Sequence, residues 1–309
     1  MTELIDNRVP FAETLIELAA TDERIVAVCN DSVGSSNLGG FRAAYPDRLI
    51  NVGIAEQNMV GVAAGLAATG LIPFVCAAGP FLSGRATEQV KADVAYSGHK
   101  VILCAMSPGM AYGELGPTHH SVEDLSWMRA LPGLDIAMPA DARQTRQAIE
   151  MLAADPRPTY LRIGRHKVPS VTTEDSTWER GRFNTARVGQ DVTLIGAGTT
   201  VSRALEAADL LAADGIEARV LNAGWIAPLD RDAIVAAAEE TKVIVVAEEA
   251  NISGGLSAAV AQVVAQLGNG CKVIPVGLTE FAPTGSTDWL LDHFGLTGEN
   301  IALLAKGAL

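Results

Sequence analysis

Glu56 is the residue of this sequence best placed to share a proton with a ligand. It follows the apolar segment 49–52 and opens a stretch made almost wholly of Ala, Gly, Val and Leu. A helix N-terminus favours an ionised carboxylate, whereas apolar surroundings oppose ionisation. A carboxyl group between these two influences can share a proton with a ligand nitrogen. A glutamate that only caps its helix fits the same residues, and both interpretations stay open here.

Two adjacent histidines, His119 and His120, form the second candidate site. They stand on a Gly- and Pro-containing loop after the predicted strand 101–105. Ligands of open α/β sheets bind at the carboxyl ends of the strands, which is where this loop is expected. A histidine on a loop is also commonly a plain surface residue. No third ligand is evident beside the pair, so we expect no metal site.

Four arginines form the third candidate set in a chain that is otherwise acidic: Arg8, Arg85, Arg162 and Arg165. Arginine binds phosphate through two parallel hydrogen bonds, although surface salt bridges explain any one of these positions as well. The segment 196–200, Gly-Ala-Gly-Thr-Thr, imitates half of a dinucleotide-binding motif. It lacks the third glycine and an acidic partner at the required distance, so we predict no nucleotide site there.

Composition excludes several classes of protein. The 309 residues carry a formal charge of −13, which is unfavourable for binding nucleic acid or anionic lipid. Residues 57–84 are uncharged, but glycines and prolines interrupt them, which favours a helix, a turn and a buried strand over a membrane span. The N-terminus lacks the pattern of a signal peptide, so we expect a cytoplasmic protein. The four cysteines form no CxxC pair and are expected to be buried thiols.

Short apolar segments alternate with amphipathic ones along the chain, which predicts α/β architecture with two doubly wound, mainly parallel sheets. The predicted strands are 25–29, 49–52, 72–76, 101–105, 134–138, 159–163, 192–195, 217–221, 243–247 and 273–276. The predicted helices include 141–154, 202–214, 230–241 and 254–267. We therefore expect a first domain over 1–168, a linker over 169–190 and a smaller second domain over 191–309.

Three segments in this order and spacing resemble the C-terminal half of transketolase: Phe41–Met59 with Asn-Val-Gly-Ile-Ala-Glu, Phe81–Val90, and Gly116–His119 with Gly-Pro-Thr-His. The resemblance covers nearly the whole chain. It implies a pyrimidine-binding domain for thiamine diphosphate, followed by the transketolase C-terminal domain. The β subunit of 2-oxo-acid dehydrogenase decarboxylases and a non-catalytic transketolase-like subunit are the alternatives.

The resemblance also implies roles for individual residues. Glu56 would hydrogen-bond the pyrimidine N1′ and promote its imino tautomer, so that the cofactor carries the chemistry of ketol transfer. The implied cofactor-binding residues are Glu56, Phe81, Arg85 and Asp31. The implied substrate-binding residues for a sugar phosphate are His119, Arg165, Arg8 and Ser36, with His119 also catalytic.

Two positions depart from the family pattern. Transketolases usually have an aspartate just before Gly-Pro-Thr-His, where this chain has Leu115, and a phosphate-facing histidine where Ser107 stands. Both changes argue against the usual pentose phosphates as substrates. A variant sugar phosphate or a specialised acceptor is therefore our hypothesis.

The Gly-Asp-Gly motif that binds the cofactor diphosphate and Mg²⁺ in this family occurs nowhere in the sequence. The resemblance therefore implies a split transketolase, in which an N-terminal-type partner subunit holds the diphosphate and the metal ion. We expect the cofactor to bind between the two chains, in a heterotetramer with two copies of each.

Overall fold

The computed structural model describes residues 3–309, which form two sheets, one of seven strands and one of five. The strands are β1 (Ile25–Cys29), β2 (Leu49–Asn51), β3 (Ile72–Ala78), β4 (Ile102–Met106), β5 (Asp135–Ala137), β6 (Thr159–Ile163), β7 (Asn184–Arg187), β8 (Val192–Gly196), β9 (Ala218–Asn222), β10 (Trp225–Ala227), β11 (Val243–Asn251) and β12 (Lys272–Leu278). The helices are α1 (Arg8–Thr21), α2 (Gly39–Ala44), α3 (Glu56–Ala68), α4 (Thr87–Gln89), α5 (Asp124–Arg129), α6 (Ala142–Ala154), α7 (Thr200–Ala213), α8 (Arg231–Glu240), α9 (Leu256–Leu267), α10 (Thr287–His293) and α11 (Gly298–Ala308). The predicted α/β class with two doubly wound sheets is confirmed.

The first sheet has the strand order β10-β5-β6-β4-β3-β1-β2 and is parallel except for β10. Neighbouring residues of its central strands face opposite sides. In β3, Val75 packs in the core beneath α3 and α5, whereas Cys76 packs beneath α1 and α6. Both sides are apolar because helices cover both, as the continuous hydrophobic runs predicted. Cys29 and Cys104 share the buried side of Cys76 and are free thiols, as expected.

The second sheet has the order β12-β11-β8-β9-β7, with β7 antiparallel at one edge. Strand β7 lies inside the segment 169–190 that the sequence indicates as a linker. Its residues are only partly buried, so no apolar run marks it as a strand. The division of the chain at residues 168 and 191 stays a prediction.

The two halves of the chain interlock. Strand β10 follows β9 of the second sheet but pairs antiparallel with β5 of the first. Its Trp225 is buried, and its ring centroid lies 5.5 Å from that of Trp178. One apolar core also runs from beneath α3 to the side of the second sheet that α8 and α9 cover. The second half of the chain is therefore packed closely enough to influence a site in the first.

The uncharged segment 57–84 folds as predicted, into helix α3, a turn and the buried strand β3. No helix within the described residues has both the length and the apolar character needed to cross a membrane.

The carboxyl ends of β1, β2, β3, β4 and β6 lie along one edge of the first sheet, since these strands are parallel. The chain turns sharply there: Asp31, Asn37 and Ser107 adopt left-handed backbone conformations, with φ of 69°, 58° and 56°. Such conformations are uncommon for residues other than glycine and tend to gather at functional sites. This edge of the sheet is therefore the expected place of a ligand site.

Candidate active site

Glu56 is the first residue of α3, and its side chain is completely buried. Asn30, which directly follows β1, donates from Nδ2 to Glu56 Oε1 at 2.5 Å. Arg85 donates from Nη1 to Glu56 Oε2 at 2.7 Å. A buried charge requires partners of this kind, and each oxygen of a carboxylate can accept a second hydrogen bond. Glu56 is thus fixed in place while it keeps acceptor capacity for a ligand.

The environment of Glu56 acts on its pKa in two opposing directions. Burial raises the pKa of the Glu56 carboxyl, while the hydrogen bonds from Arg85 and Asn30 lower it. The partners outweigh burial, so the pKa of Glu56 lies below its ordinary value. Without an added ligand, this carboxyl group is therefore ionised at neutral pH.

Phe81 and Arg85 sit four residues apart on a short π-helical turn, Phe81–Arg85, just after β3. The Arg85 guanidinium lies over the Phe81 ring, 4.7 Å from its centroid, in a cation–π arrangement. The ring of His119 meets Phe81 edge to face at 5.3 Å between centroids. The structure thus brings together Glu56, Arg85, Phe81 and His119, four of the residues predicted from the sequence.

Arg165 joins this group through Tyr112. The Tyr112 ring lies 6.1 Å from that of His119, and the Arg165 guanidinium lies 5.1 Å from the Tyr112 centroid. Arg165 also lines a cavity of about 620 Å³ between the two halves of the chain, together with Lys167 and Thr199. A row of side chains therefore leads from the buried carboxylate to an exposed arginine beside a cavity.

Ser36 connects to Glu56 through a chain of hydrogen bonds. Its Oγ lies 3.1 Å from Ser32 Oγ, which donates to Asn30 Oδ1 at 2.5 Å. Asn30 in turn donates to Glu56. Asp31 points elsewhere, because its carboxylate accepts from Asn51 at the exposed surface. The neighbour of Asp31, rather than Asp31 itself, touches the buried carboxylate.

The guanidinium of Arg8, which lies near Ser36, is already paired with other residues of the chain. Its guanidinium donates to both oxygens of Asp6 and, from Nη1, to the carbonyl of Ser35 at 2.8 Å. Its positive charge is therefore largely balanced within the chain. A phosphate at this position would have to share Arg8 with Asp6.

His120 turns away from His119. It is buried, and its Nε2 lies 3.3 Å from the carbonyl of Gly113. Burial lowers the pKa of His120, which favours the neutral ring. Within residues 3–309, no three side chains of the types His, Cys, Asp and Glu cluster in a way that could hold a metal ion.

Arg162 also stays outside the site. It is a buried residue of β6 and donates to both oxygens of Asp124, the first residue of α5, at 2.9 and 2.5 Å. Tyr160 donates to the same carboxylate at 2.8 Å. This network holds the segment after the histidine loop in place. Asp124 balances the charge of the Arg162 guanidinium, which is therefore not free to bind a ligand.

The two unusual positions differ in exposure. Leu115 is 54% exposed on the histidine loop, four residues before His119. Ser107 directly follows β4 and is buried, and its Oγ has no hydrogen-bond partner among the described residues. A buried hydroxyl without a hydrogen-bond partner is uncommon in folded proteins.

Sequence reasoning missed two members of the site, Asn30 and Tyr112. Asn30 carries a weak signal, since it opens a polar segment directly after a buried strand, where parallel sheets place ligands. Nothing in the sequence pairs Tyr112 with Arg165, because their contact depends on two separate loops.

The assembled group offers a buried carboxylate, a partly open aromatic face and cations at both ends. That combination suits a flat, nitrogen-containing ring together with an anionic ligand.

Two family profiles account for most of the chain. The profile described as transketolase, pyrimidine binding domain matches residues 3–171, and that described as transketolase, C-terminal domain matches residues 181–301. The chain therefore belongs to the transketolase family.

Its relatives include proteins of similar length that are named as transketolase subunits. The chain is 42% identical to a subunit of apulose-4-phosphate transketolase from Phocaeicola vulgatus, over 98% of this chain and 97% of the relative. It is 39% identical to the 6-deoxy-6-sulfo-D-fructose transketolase subunit SqwH of a Clostridium species, over 96% and 92%. A solved structure described as a split gene transketolase, inactive β4 tetramer, is 36% identical, with a TM-score of 0.89 over 99% and 98% of the two chains. In domain content and length, this chain corresponds to the C-terminal subunit of a split transketolase.

Removal of Arg85 is expected to raise the pKa of Glu56. In the variant Arg85→Gln, burial acts without its main opposing partner, so the carboxyl group takes up its proton at higher pH than in the wild type. The stability that the ionised carboxylate contributes is complete above its unfolded pKa and disappears as the pH falls through the lowered folded pKa. In the variant, the folded pKa moves towards the unfolded value, so this contribution becomes smaller and its loss is complete at a higher pH. The ¹³C chemical shift of Glu56 Cδ, assigned with Glu56→Gln, measures the titration.

Arg24→Gln is the control, because Arg24 pairs with Asp22 at the exposed surface. It should leave the titration of Glu56 unchanged. An unchanged Glu56 titration in Arg85→Gln would contradict the ion pair described above.

Proposed function

We propose that this chain is one subunit of a thiamine-diphosphate-dependent transketolase, which moves a two-carbon ketol unit from a ketose phosphate to an aldose acceptor. The observation that carries this proposal is the buried Glu56 carboxylate, which Arg85 links to the partly buried Phe81 ring. An aminopyrimidine offers a flat face for Phe81 and a ring nitrogen for Glu56. The residues present therefore fit the pyrimidine end of the cofactor.

Each residue then has a task that its surroundings support. When bound, the cofactor supplies the electron sink for cleavage of a carbon–carbon bond. Glu56 holds a proton between its carboxylate and the pyrimidine ring nitrogen, and Asn30 and Arg85 keep that carboxylate in place. Phe81 packs against the face of the ring and excludes water from it. Asp31, which directly follows Asn30, stays a proposed cofactor contact on the basis of the family resemblance alone.

The proposed substrate is a sugar phosphate that enters past His119 towards Arg165. His119 is held by Phe81 and Tyr112, so its ring is positioned to contact a hydroxyl or carbonyl oxygen of the sugar. Arg165 offers its guanidinium to the phosphate beside the 620 Å³ cavity. Arg8 and Ser36 are secondary candidates, because Arg8 already binds Asp6 and Ser36 faces Ser32.

We propose that a partner subunit completes the site, with two copies of each chain in the assembly. The chain lacks Gly-Asp-Gly, so its partner would supply the diphosphate and Mg²⁺ contacts. Two relatives are named as subunits, and a solved relative is described as an inactive β4 tetramer. These names support an enzyme that requires a second type of subunit.

The chain alone is expected to lack ketol transfer and to bind thiamine diphosphate weakly. Mixing it with a subunit from the same organism that carries Gly-Asp-Gly should produce both activity and tight binding, since the two halves of the site then meet. A coupled assay of ketose cleavage and a calorimetric titration with the cofactor and Mg²⁺ measure these properties. Tight binding and full activity of the isolated chain would contradict the split-site proposal.

Glu56→Gln is expected to reduce kcat of the reconstituted enzyme by about 10²–10⁴-fold, because an amide cannot exchange a proton with the ring nitrogen. The thermal midpoint and the assembly with the partner should change little, since Gln keeps the size of the side chain. Glu17→Gln, at an exposed surface pair with Arg146, is the matched control and should retain wild-type activity. Undiminished turnover in Glu56→Gln would refute the assigned role.

The reconstituted enzyme is expected to use xylulose 5-phosphate and ribose 5-phosphate poorly, because Leu115 offers no hydrogen bond to a sugar hydroxyl. Leu115→Asp should raise kcat/KM for xylulose 5-phosphate by about tenfold, which corresponds to one hydrogen bond with a charged partner. Leu115→Val keeps the position apolar and should leave the value low. Wild-type kinetics equal to those of a single-chain transketolase assayed alongside would contradict this prediction.

A further inference from the structure

The ends of the loop that carries His119 are joined to each other by backbone hydrogen bonds. Gly109 and Ser121 exchange two backbone hydrogen bonds, at 2.9 and 2.8 Å. Between them lie Tyr112 and His119, whose rings contact the candidate site, and the exposed Leu115. The position of the loop base therefore sets the position of all three.

A carboxylate from the second half of the chain holds one side of this base. Glu249 lies on β11, is 5% exposed, and accepts a hydrogen bond from the backbone N–H of Met110 at Oε1, with a distance of 2.6 Å. Its other oxygen, Oε2, accepts from Thr199 Oγ1 at 2.7 Å. Glu249 therefore bridges the histidine loop and the segment that leads into α7.

The backbone of the loop is adapted to this contact. Gly109 has φ of +65°, and a Cβ atom there would lie 2.4 Å from the Glu249 side chain. At Gly113, a Cβ atom would lie 2.3 Å from the carbonyl oxygen of Gly285, whose N–H donates to the carbonyl of Gly113 at 3.1 Å. Glycine permits both approaches because it has no side chain. The loop thus rests directly on two segments of the second half of the chain.

The other side of the loop base is fixed from both halves of the chain. Arg162 donates to the carbonyl of Ser121 at 2.9 Å. The N–H of Asn251, two residues after Glu249, donates to the carbonyl of Val122 at 2.7 Å. Strand β11 thus contributes one contact before the loop and one after it.

We infer that Glu249 is a positioning residue, which sets the place of His119, Tyr112 and Leu115 through the base of their loop. The second half of the chain would then act in substrate recognition. Its effect on substrate binding rests on the proposed function, whereas its effect on the loop does not. Loss of the Glu249 carboxylate is therefore expected to disturb the histidine loop. It should leave Glu56, Asn30 and Arg85 in place, because they belong to other segments.

The adjacent residue Glu248 provides a matched control. It is also a buried carboxylate on β11, but it faces the other side and accepts hydrogen bonds from the N–H groups of Leu256 and Ser257 and from Ser257 Oγ. It therefore anchors the start of α9. Glu248→Ala and Glu249→Ala each remove one buried carboxylate from the same strand. Of these two carboxylates, only that of Glu249 contacts the histidine loop.

The first test is hydrogen exchange of the complete chain, read by mass spectrometry on peptides that cover residues 109–122. Glu249→Ala should accelerate exchange there by about tenfold or more, the effect of one lost hydrogen bond to a charged group. Glu248→Ala should accelerate exchange at the start of α9 instead. Glu249→Gln keeps an acceptor for Met110 and should stay within about threefold of the wild type. Thr199→Val removes only the hydroxyl that donates to Glu249 Oε2, so exchange of residues 109–122 should accelerate by an intermediate factor. It replaces Glu249→Ala as the test variant if Glu249→Ala does not fold.

The second test uses the reconstituted enzyme. Glu249→Ala should raise KM for the sugar phosphate by about tenfold, with the thiamine diphosphate requirement unchanged and recovery in Glu249→Gln. Wild-type exchange of 109–122 in both Glu249→Ala and Thr199→Val, or equal opening of the loop in Glu248→Ala, would overturn the inference. If the complex showed no ketol transfer, the proposed function would fail, and the exchange measurement would still decide the role of Glu249.

Discussion

The burial of one charged carboxylate governs the arrangement of this protein around its candidate site. Glu56 has no exposed surface, so its charge is tolerable only because Asn30 and Arg85 donate to it and because it begins helix α3. These residues come from three different strand ends. The parallel order of β1, β2 and β3 brings those ends together, and the apolar cores on both sides of the sheet keep them there.

From this carboxylate the site extends outward by contacts between flat side chains. Arg85 covers Phe81, Phe81 meets His119, and Tyr112 links His119 to Arg165. The row begins at the buried Glu56–Arg85 ion pair and ends at the exposed Arg165. The two ligands that we propose, a cofactor ring near Glu56 and a sugar phosphate near Arg165, match the two ends of this row.

The second half of the chain contributes to this arrangement although it supplies none of the predicted site residues. Strand β10 completes the first sheet, and Glu249 reaches the histidine loop at Met110. The loop departs from the family pattern at Leu115, and the adjoining strand end departs at Ser107. The two positions proposed to alter substrate choice therefore lie close in the chain to Met110, which contacts the second half.

The sequence by itself determined the α/β class, ten of the strands and the family, since these depend on hydrophobic periodicity and on local motifs such as Asn-Val-Gly-Ile-Ala-Glu and Gly-Pro-Thr-His. Through the family resemblance it also named Glu56, Phe81, Arg85 and His119 among the candidate site residues. Strand β7 escaped prediction because it carries little apolar signal. Strand β10 is apolar, but it is only three residues long and pairs with a strand distant in sequence, so its crossing into the first sheet escaped prediction as well. The partnership of Glu56 with Asn30, the pairing of Tyr112 with Arg165 and the bond from Met110 to Glu249 required the tertiary structure. Each joins segments distant in sequence, and only the packing of the two sheets fixes such distances.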